Sequence, residues 1–469
     1  MLTYALDNLQ EGSMYSHLYR CIKEDIAAGR IAAGEKLPSK RALAKNLGVS
    51  IITVENAYAQ LVVEGYIYSR PKSGYYAAQF TAPAAKPFHP SASETLTTMP
   101  PDYFVDFAAS SVDADGFPYN TWARLLRHTL TAADEHALLA DSSAGGVLTL
   151  RRAIANHLYQ FRGVAASPEQ IIIGAGTQVL YNLIVQLLGR SHVYALEDPG
   201  YPQLSQIYRA NGVFCRHLPM DGAGIRADVL EASDADILHI TPSHQFPTGI
   251  VMPASRRSEL LHWAAESSNR YIIEDDYDCE FRLAGRPIPP LASIDTQEKV
   301  IYINTFSKTL APTFRISYMV LPRHLTRIFY DKLGFYACTV SNFEQFTLAK
   351  FIEDGHLERH INRMRTAYRT KRDKVLTYLS QSPLAPALKI EGADSGLHFL
   401  LHIDTAASDS QLLKAIREQN INVNFLSRYY QQPISDASHT MLINYAGIPE
   451  DRLFEGLQGL LTALENYCK

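Results

Sequence analysis

Long apolar runs are missing from this chain of 469 residues. No stretch approaches the roughly 18 apolar residues that cross a bilayer, and the N-terminus lacks a basic-then-apolar signal pattern. The expected setting is therefore cytoplasmic, with no membrane partner. Cysteine is scarce as well: Cys21, Cys215, Cys279, Cys338 and Cys468 are scattered, with no pair at metal-ligand spacing. That pattern argues against a disulfide scaffold and a cysteine-held metal, and it fits free thiols in a reducing compartment. No metal site is expected. A global basic excess is also absent, since 44 Lys/Arg stand against 48 Asp/Glu for a net charge of -4. Any affinity for nucleic acid must then be local. The first 78 residues hold nine Lys/Arg against seven Asp/Glu, a small positive excess. No internal repeat is found. What remains, 46% hydrophobic and 20% charged residues over this length, describes a globular protein of at least two domains.

Helical spacing begins at Tyr15–Ala28, with Leu18, Ile22 and Ile26 on one face and Gly29 as the stop. Ser39 can N-cap a second helix running through Leu47 to Gly48, and Ser50 a third running to Glu64. Two short strands, Tyr66–Arg70 and Gly74–Ala77, flank a Pro-Lys-Ser-Gly turn. Helix, helix-turn-helix and hairpin together make an α+β winged helix-turn-helix, expected over residues 1–78. Residues 79–102 are rich in Pro, Ala, Ser and Thr without apolar rhythm, which is the composition of a flexible linker. Over 103–469 strand-like and helix-like segments alternate. Candidate strands are Gln170–Ile173, His192–Leu196, Ile237–Ile240, Tyr271–Glu274, Val300–Ile303 and Ile316–Val320. This alternation predicts an α/β domain with a mostly parallel central sheet covered by helices. A smaller C-terminal subdomain is expected after the long helical stretch Asn342–Ser380.

Chemistry-bearing residues fall where these strands end, the place where open α/β sheets bind ligands. Lys308, in Asn304-Thr305-Phe306-Ser307-Lys308, stands 33 residues after Asp275 in Glu274-Asp275-Asp276-Tyr277-Asp278. An isolated lysine is more often a surface charge, and an acidic strand end is more often merely solvated. Together they are what a pyridoxal phosphate site needs: a lysine amine for the Schiff base and a carboxylate that keeps the pyridine nitrogen protonated. Tyr277 is placed for the ring's phenolic oxygen, and His244 or Gln245 can also bond it. Gly176, Thr177 and Gln178 open a helix after a strand, where backbone N–H groups point at a phosphate. Thr305, Ser307 and Arg315 can complete that phosphate site. Tyr201, in Pro199-Gly200-Tyr201-Pro202, is suited to stack on a flat ring.

The 103–469 segment resembles fold-type I, class I aminotransferases, and the whole chain resembles the MocR/GabR branch of GntR-type transcriptional regulators. The motifs that carry the likeness are Pro199–Pro202, Thr241–Gly249, Glu274–Asp278 and Thr305–Lys308. The resemblance implies that Lys308 forms the internal aldimine, that Asp275 pairs with the pyridine nitrogen, that Tyr277 meets the ring hydroxyl, and that Arg315 is a phosphate ligand. It implies that Arg428 holds an effector carboxylate, and that the protein is a head-to-tail homodimer, with the winged helices swapped over the partner. Gln203 stands where GABA-sensing members carry a second arginine, which weakens GABA as the effector.

The N-terminal run Gly34 through Ala44, with Leu47-Gly48-Val49-Ser50 and Thr53-Val54, resembles the GntR winged helix. On that likeness Ser39, Lys40, Arg41 and the wing residues Arg70, Lys72, Ser73 and Gly74 meet DNA phosphates. The bland alternative for Lys40 and Arg41 is an ordinary solvated helix start. The helix after Ser50 enters the major groove but offers no arginine for guanine. Base reading therefore falls to Ser50, Thr53 and Asn56, or to DNA shape.

The function expected is a pyridoxal phosphate-dependent, DNA-binding transcriptional regulator. It senses a small amine or amino acid at Lys308, and its partners are a double-stranded DNA operator and a second copy of itself. Two alternatives stand beside it: a genuine aminotransferase (transaminase) with an accessory DNA-binding module, and a regulator whose effector is pyridoxal phosphate itself.

Overall fold

A computed structural model describes residues 4, 13–79, 102–109, 116–132, 135–283, 285, 288–394, 396–431 and 438–468. The chain divides into two compact units, Met1–Pro100 and Pro101–Lys469. Most of the expected linker, residues 80–101, lies outside the described residues.

In the first unit the helix Met14–Ala27 buries Leu18, Ile22 and Ile26, one residue per turn. Lys40–Leu47 is capped by Ser39, whose hydroxyl accepts from the Ala42 N–H at 3.2 Å, and ended by Gly48 in the left-handed conformation (φ 66°). Ile51–Val63 is capped by Ser50 and buries Val54, Ala57, Tyr58 and Leu61. The hairpin Ile67–Arg70/Gly74–Ala77 pairs Ile67 with Ala77 and Arg70 with Gly74. It is tied to the turn before the second helix by the Leu37 N–H donating to the Tyr75 carbonyl at 2.9 Å. The unit has its own apolar core, built from these helices and closed by Ile67 and Ala77 of the hairpin.

The second unit is built on an eight-stranded sheet. Its order is Ile171–Gly174, Ser317–Val320, Val300–Thr305, Tyr271–Asp275, Ile237–Ile240, Val193–Asp198, Phe214–Asp221, Gly224–Ile225. Val193–Asp198, Phe214–Asp221, Ile237–Ile240, Tyr271–Asp275 and Val300–Thr305 run parallel. Ser317–Val320 runs antiparallel to both its neighbours. The central strands are buried on both faces: Ile301 and Ile303 enter one core, Val300 and Tyr302 pack on the other side. That double burial is why they read as continuous apolar runs.

The helical stretch expected over Asn342–Ser380 is two helices, Asn342–Glu353 and His356–Ser380, separated at Gly355 (φ 69°). The second helix starts in the large core with Leu357 and Ile361 and ends in the C-terminal core with Tyr368, Val375 and Leu379. That second core backs an antiparallel sheet ordered Leu388–Glu391, His398–Ile403, Thr440–Asn444, Asn424–Phe425. The two-residue strand Val105–Asp106 pairs with Ile421–Asn422 and also belongs to this subdomain, a contact across more than 300 residues. Two residues show no periodicity, so nothing local announces that strand.

Candidate functional site

Strand register gathers the turns of the large sheet at one edge. Ile303 pairs with Asp275, Ile240 with Glu274 and Leu196 with His239, all parallel. The segments after Asp198, Ile240, Asp275 and Thr305 therefore leave the sheet side by side. Ser317 pairs with Thr305 on one side and with Gly174 on the other, which draws the Gly174–Thr177 turn and Arg315 to the same edge.

Gly176 has φ 94° and precedes the helix Thr177–Leu188. A Cβ there would overlap the guanidinium of Arg315, so glycine is what lets that cation reach the helix start. Arg315 itself adopts φ 47°, a left-handed conformation that costs a non-glycine residue about 1–2 kcal/mol. The first N–H groups of a helix have no intrahelical partner, so a helix N-terminus beside a guanidinium forms an anion cup. Thr177 is half-buried and Gln178 exposed at its rim. On the lysine side the Thr305 hydroxyl accepts from the Ser307 N–H at 3.2 Å and from the Ser317 hydroxyl at 2.8 Å.

Asp275 is buried at the end of its strand. One carboxylate oxygen accepts from the Tyr181 hydroxyl, with His239 Nε2 3.8 Å away. His239 is held in turn by the Tyr208 hydroxyl, 2.7 Å from Nδ1. The other oxygen, Oδ1, is buried with no hydrogen-bond partner among the described residues. Such an atom is costly to leave unpaired, and a cationic N–H of a ligand would satisfy it.

Lys308 follows one strand over, on the short helical turn Phe306–Thr309. Burial pulls its ammonium down from 10.5 to about 8, opposed by the negative charge of Asp278. At pH 7 about a tenth of the amine is then neutral and nucleophilic, roughly 300 times the fraction at the ordinary value. His398 is fully buried, and desolvation together with the charges of His244 and Lys308 holds it neutral. The Tyr277 phenol lies 3.1 Å from His244 Nδ1, and burial with nearby Asp278, Asp275 and Glu197 keeps it protonated. His244 Nδ1 also lies 2.8 Å from Asp278 Oδ2. Gln245 is committed elsewhere: its amide donates to the Pro199 and Phe246 carbonyls and its oxygen accepts from Thr248. Glu197 accepts from the Thr241 hydroxyl at 2.8 Å, and burial pushes its carboxyl up to about 7.

Tyr201 is 41% exposed and meets Phe246 edge-on at 5.8 Å, within the influence of both Asp275 and Arg315. Phe246 also packs edge-on against Tyr429 at 5.5 Å, and the Tyr429 carbonyl accepts from the Gly200 N–H at 3.1 Å. The turn carrying Arg428 is thus fastened to the Tyr201 loop. Arg428 is exposed, with Nη1 donating to Asn424 at 3.0 Å. The residues that sequence reasoning missed are the ones that hold others in place: Tyr181, Tyr208, His239, Asp278 and His398. Tyr181 and Tyr208 sit on apolar helix faces and read as ordinary core.

In the first unit Lys40 Nζ is bonded to Glu55 at 2.6 Å and lies over the Tyr75 ring. Arg41 is exposed. On the wing Arg70 lies across Tyr68 and Tyr76, Lys72 turns left-handed (φ 60°), and the Ser73 hydroxyl bonds that of Tyr76 at 2.5 Å. A Cβ at Gly74 (φ 115°) would touch only the Lys36 side chain. The Ser50 hydroxyl accepts from the Thr53 N–H at 3.0 Å and bonds the Thr53 hydroxyl at 2.8 Å. Asn56 is exposed.

Among the described residues no cluster of His, Cys, Asp or Glu could hold a metal, and no helix is long and apolar enough to cross a membrane. Residues 14–76 match the family described as bacterial regulatory proteins, gntR family, and residues 110–458 match aminotransferase class I and II. The chain is 38% identical to the uncharacterised HTH-type transcriptional regulator YdeL of Bacillus subtilis, covering 98% of this chain and 99% of that one. It is 31% identical to the probable rhizopine catabolism regulatory protein MocR of Rhizobium meliloti, over 98% and 95%. Among solved structures, Pyrococcus horikoshii kynurenine aminotransferase superposes with a TM-score of 0.67 at 23% identity, over 78% of this chain and 91% of that one.

Proposed function

From the premise that this chain belongs to the GntR-family regulators and joins their helix-turn-helix to a class I and II aminotransferase domain, we propose an effector-sensing role for the lysine site. In this reading residues 1–78 bind operator DNA, 79–102 link, and 103–469 bind pyridoxal phosphate, sense a small amine or amino acid, and dimerise. The observation that carries it is the buried, unpartnered Oδ1 of Asp275 one strand from Lys308. When bound, pyridoxal phosphate supplies an aldehyde that condenses with amines and a ring that draws electrons once its nitrogen is protonated.

The chain's own residues divide the work. Lys308 would hold the aldehyde through its amine, and would take its nitrogen back with a proton when an effector amine replaces it. Asp275 Oδ1 would accept from the ring N–H, with Tyr181 and His239 keeping that carboxylate aimed. Tyr277, kept protonated, would donate to the phenolic oxygen, supported by His244. Gly176, Thr177 and Gln178, with Thr305, Ser307 and Arg315, hold the phosphate. Tyr201 would cover a ring face, and Arg428 would be the fork for an effector carboxylate. Ser39, Lys40, Arg41, Arg70, Lys72, Ser73 and Gly74 serve phosphates of the DNA, and Ser50, Thr53 and Asn56 serve bases. The effector shifts operator binding only by its differential affinity for the two arrangements of the homodimer.

A visible spectrum of the cofactor-loaded protein, titrated with amines and amino acids, tests this. One compound should shift the lysine-bound band and change operator affinity together. Turnover as an aminotransferase is a second reading, favoured by the depressed Lys308 ammonium, which leaves an amine able to move protons. Release of a keto acid at steady state would support it. Operator affinity that follows cofactor depletion but ignores every amine would instead make pyridoxal phosphate the effector.

Two further outcomes are expected. Because the neutral amine is the nucleophile, capture of pyridoxal phosphate by the apoprotein should quicken about tenfold per pH unit below about 8 and level off above it. Stopped-flow absorbance reads this, and a rate flat from pH 6 to 8 removes Lys308 as the titrating group. Arg41→Ala should weaken operator binding about equally across sequences and lower its salt slope by about one, with cofactor spectra unchanged. An unaltered slope removes Arg41 from the phosphate contacts.

A further inference from the structure

The third helix of the small unit opens on two bare isoleucines. Ile51 and Ile52 hold its first two positions and are 48% and 68% exposed. Branched apolar side chains at a solvated helix start add little to folding. The buried stripe Val54, Ala57, Tyr58 and Leu61 faces away from Ile52, and neither isoleucine belongs to the apolar core of the unit. Polar groups near them are few: Ser50 and Thr53 bond each other and keep only their remaining hydroxyl capacity, and Glu55 is bonded to Lys40 at 2.6 Å. No acidic or basic residue stands in the first turn. Asn56, exposed, follows Ile52 by one helical turn on the same face.

Resting on the reading that this helix enters the major groove of duplex DNA, we infer that it reads A·T base pairs. Ile52 packs on the C5 methyl of a thymine, and Asn56 bonds the N6/N7 edge of an adenine. The thymine methyl is the apolar group that base edges present in that groove, and asparagine matches adenine in both hydrogen bonds. Guanine is read chiefly by Arg or Lys forks, and this helix carries none over Ile51–Val63. Exposed cations elsewhere in the unit, Arg41, Lys45, Arg70 and Lys72, supply the charge that phosphates attract, leaving the isoleucines for the bases.

The test is selection from a random-sequence duplex library by the full-length protein loaded with pyridoxal phosphate. Enriched duplexes should share A·T pairs at the core of each half-site. Replacing one of those thymines with uracil removes only a methyl group and should weaken binding about fourfold. Ile52→Ala, at an exposed position, should fold normally, bind a few-fold more weakly, and lose nothing further on the uracil change. Conserved G·C pairs at the core, or indifference of the unmodified protein to uracil at every thymine, overturns the inference while leaving DNA binding intact. If no duplex is enriched although the cofactor band is present, the DNA-binding reading itself fails and takes this inference with it.

Discussion

Lys308→Ala is expected to abolish the visible absorbance of lysine-bound pyridoxal phosphate completely while leaving operator affinity in the absence of effector unchanged. No other amine is proposed for the aldehyde. The small unit has its own core, from Leu18 to Ala77, and Lys308 is not part of it. The substitution should also leave a signature in stability. Holding the folded ammonium at about 8 instead of 10.5 corresponds to about 3 kcal/mol of disfavoured charge at pH 7. Between those two values the unfolded chain binds the extra proton, so stability of the native apoprotein rises with pH across that window. Below about pH 8 the cost is present in full. The alanine variant lacks this slope, so the stability difference between the two proteins should change between pH 8 and 10.5 and stay constant at lower pH. Denaturant titrations of the apoproteins at several pH values measure it. A variant that keeps the band, or whose pH slope equals that of the native chain, defeats the assignment.

Asp275→Asn is expected to weaken cofactor binding by a hundredfold or more with little change in the fold. The amide keeps the shape and still accepts from Tyr181, but it carries no charge for a pyridinium. Removing one partner of a buried, hydrogen-bonded charge pair costs about 3–5 kcal/mol, which exceeds two decades in affinity. The same change should let the ring nitrogen lose its proton, so any cofactor forced on at high concentration reacts poorly with amines. Equilibrium titration of the apoprotein with pyridoxal phosphate reads the first effect, and the rate of the effector-induced spectral change reads the second. Native affinity in the variant would mean that the open Oδ1 atom faces something other than the ring.

Much of this architecture is local and therefore legible. The helix-turn-helix is written in its caps: Ser39 and Ser50 before the helices and Gly48 after the second, each acting on groups within four residues. The central strands show as apolar runs because both of their faces are buried. Where the pattern misled, the cause was equally local. Helical spacing resumes directly after the left-handed turn at Gly355 and no proline marks the break, so two helices read as one.

The residue types alone determined which chemistry was available: a lysine, a carboxylate and a tyrosine after successive strands, a glycine-opened helix, and a winged helix at the front. Only the tertiary structure decided how they meet. Strand order is not written along the chain: Ser317–Val320 turns back antiparallel and settles between Thr305 and Gly174, bringing Arg315 against Gly176. Tyr181 reaches Asp275 across 94 residues, and Tyr208 reaches His239 across 31. Neither tyrosine differs in spacing from a core residue until its hydroxyl finds a partner. Periodicity and caps act over a few residues and survive in the sequence. The hydrogen bonds that aim Asp275 exist only once distant strands have closed over it, and the sequence is silent on them.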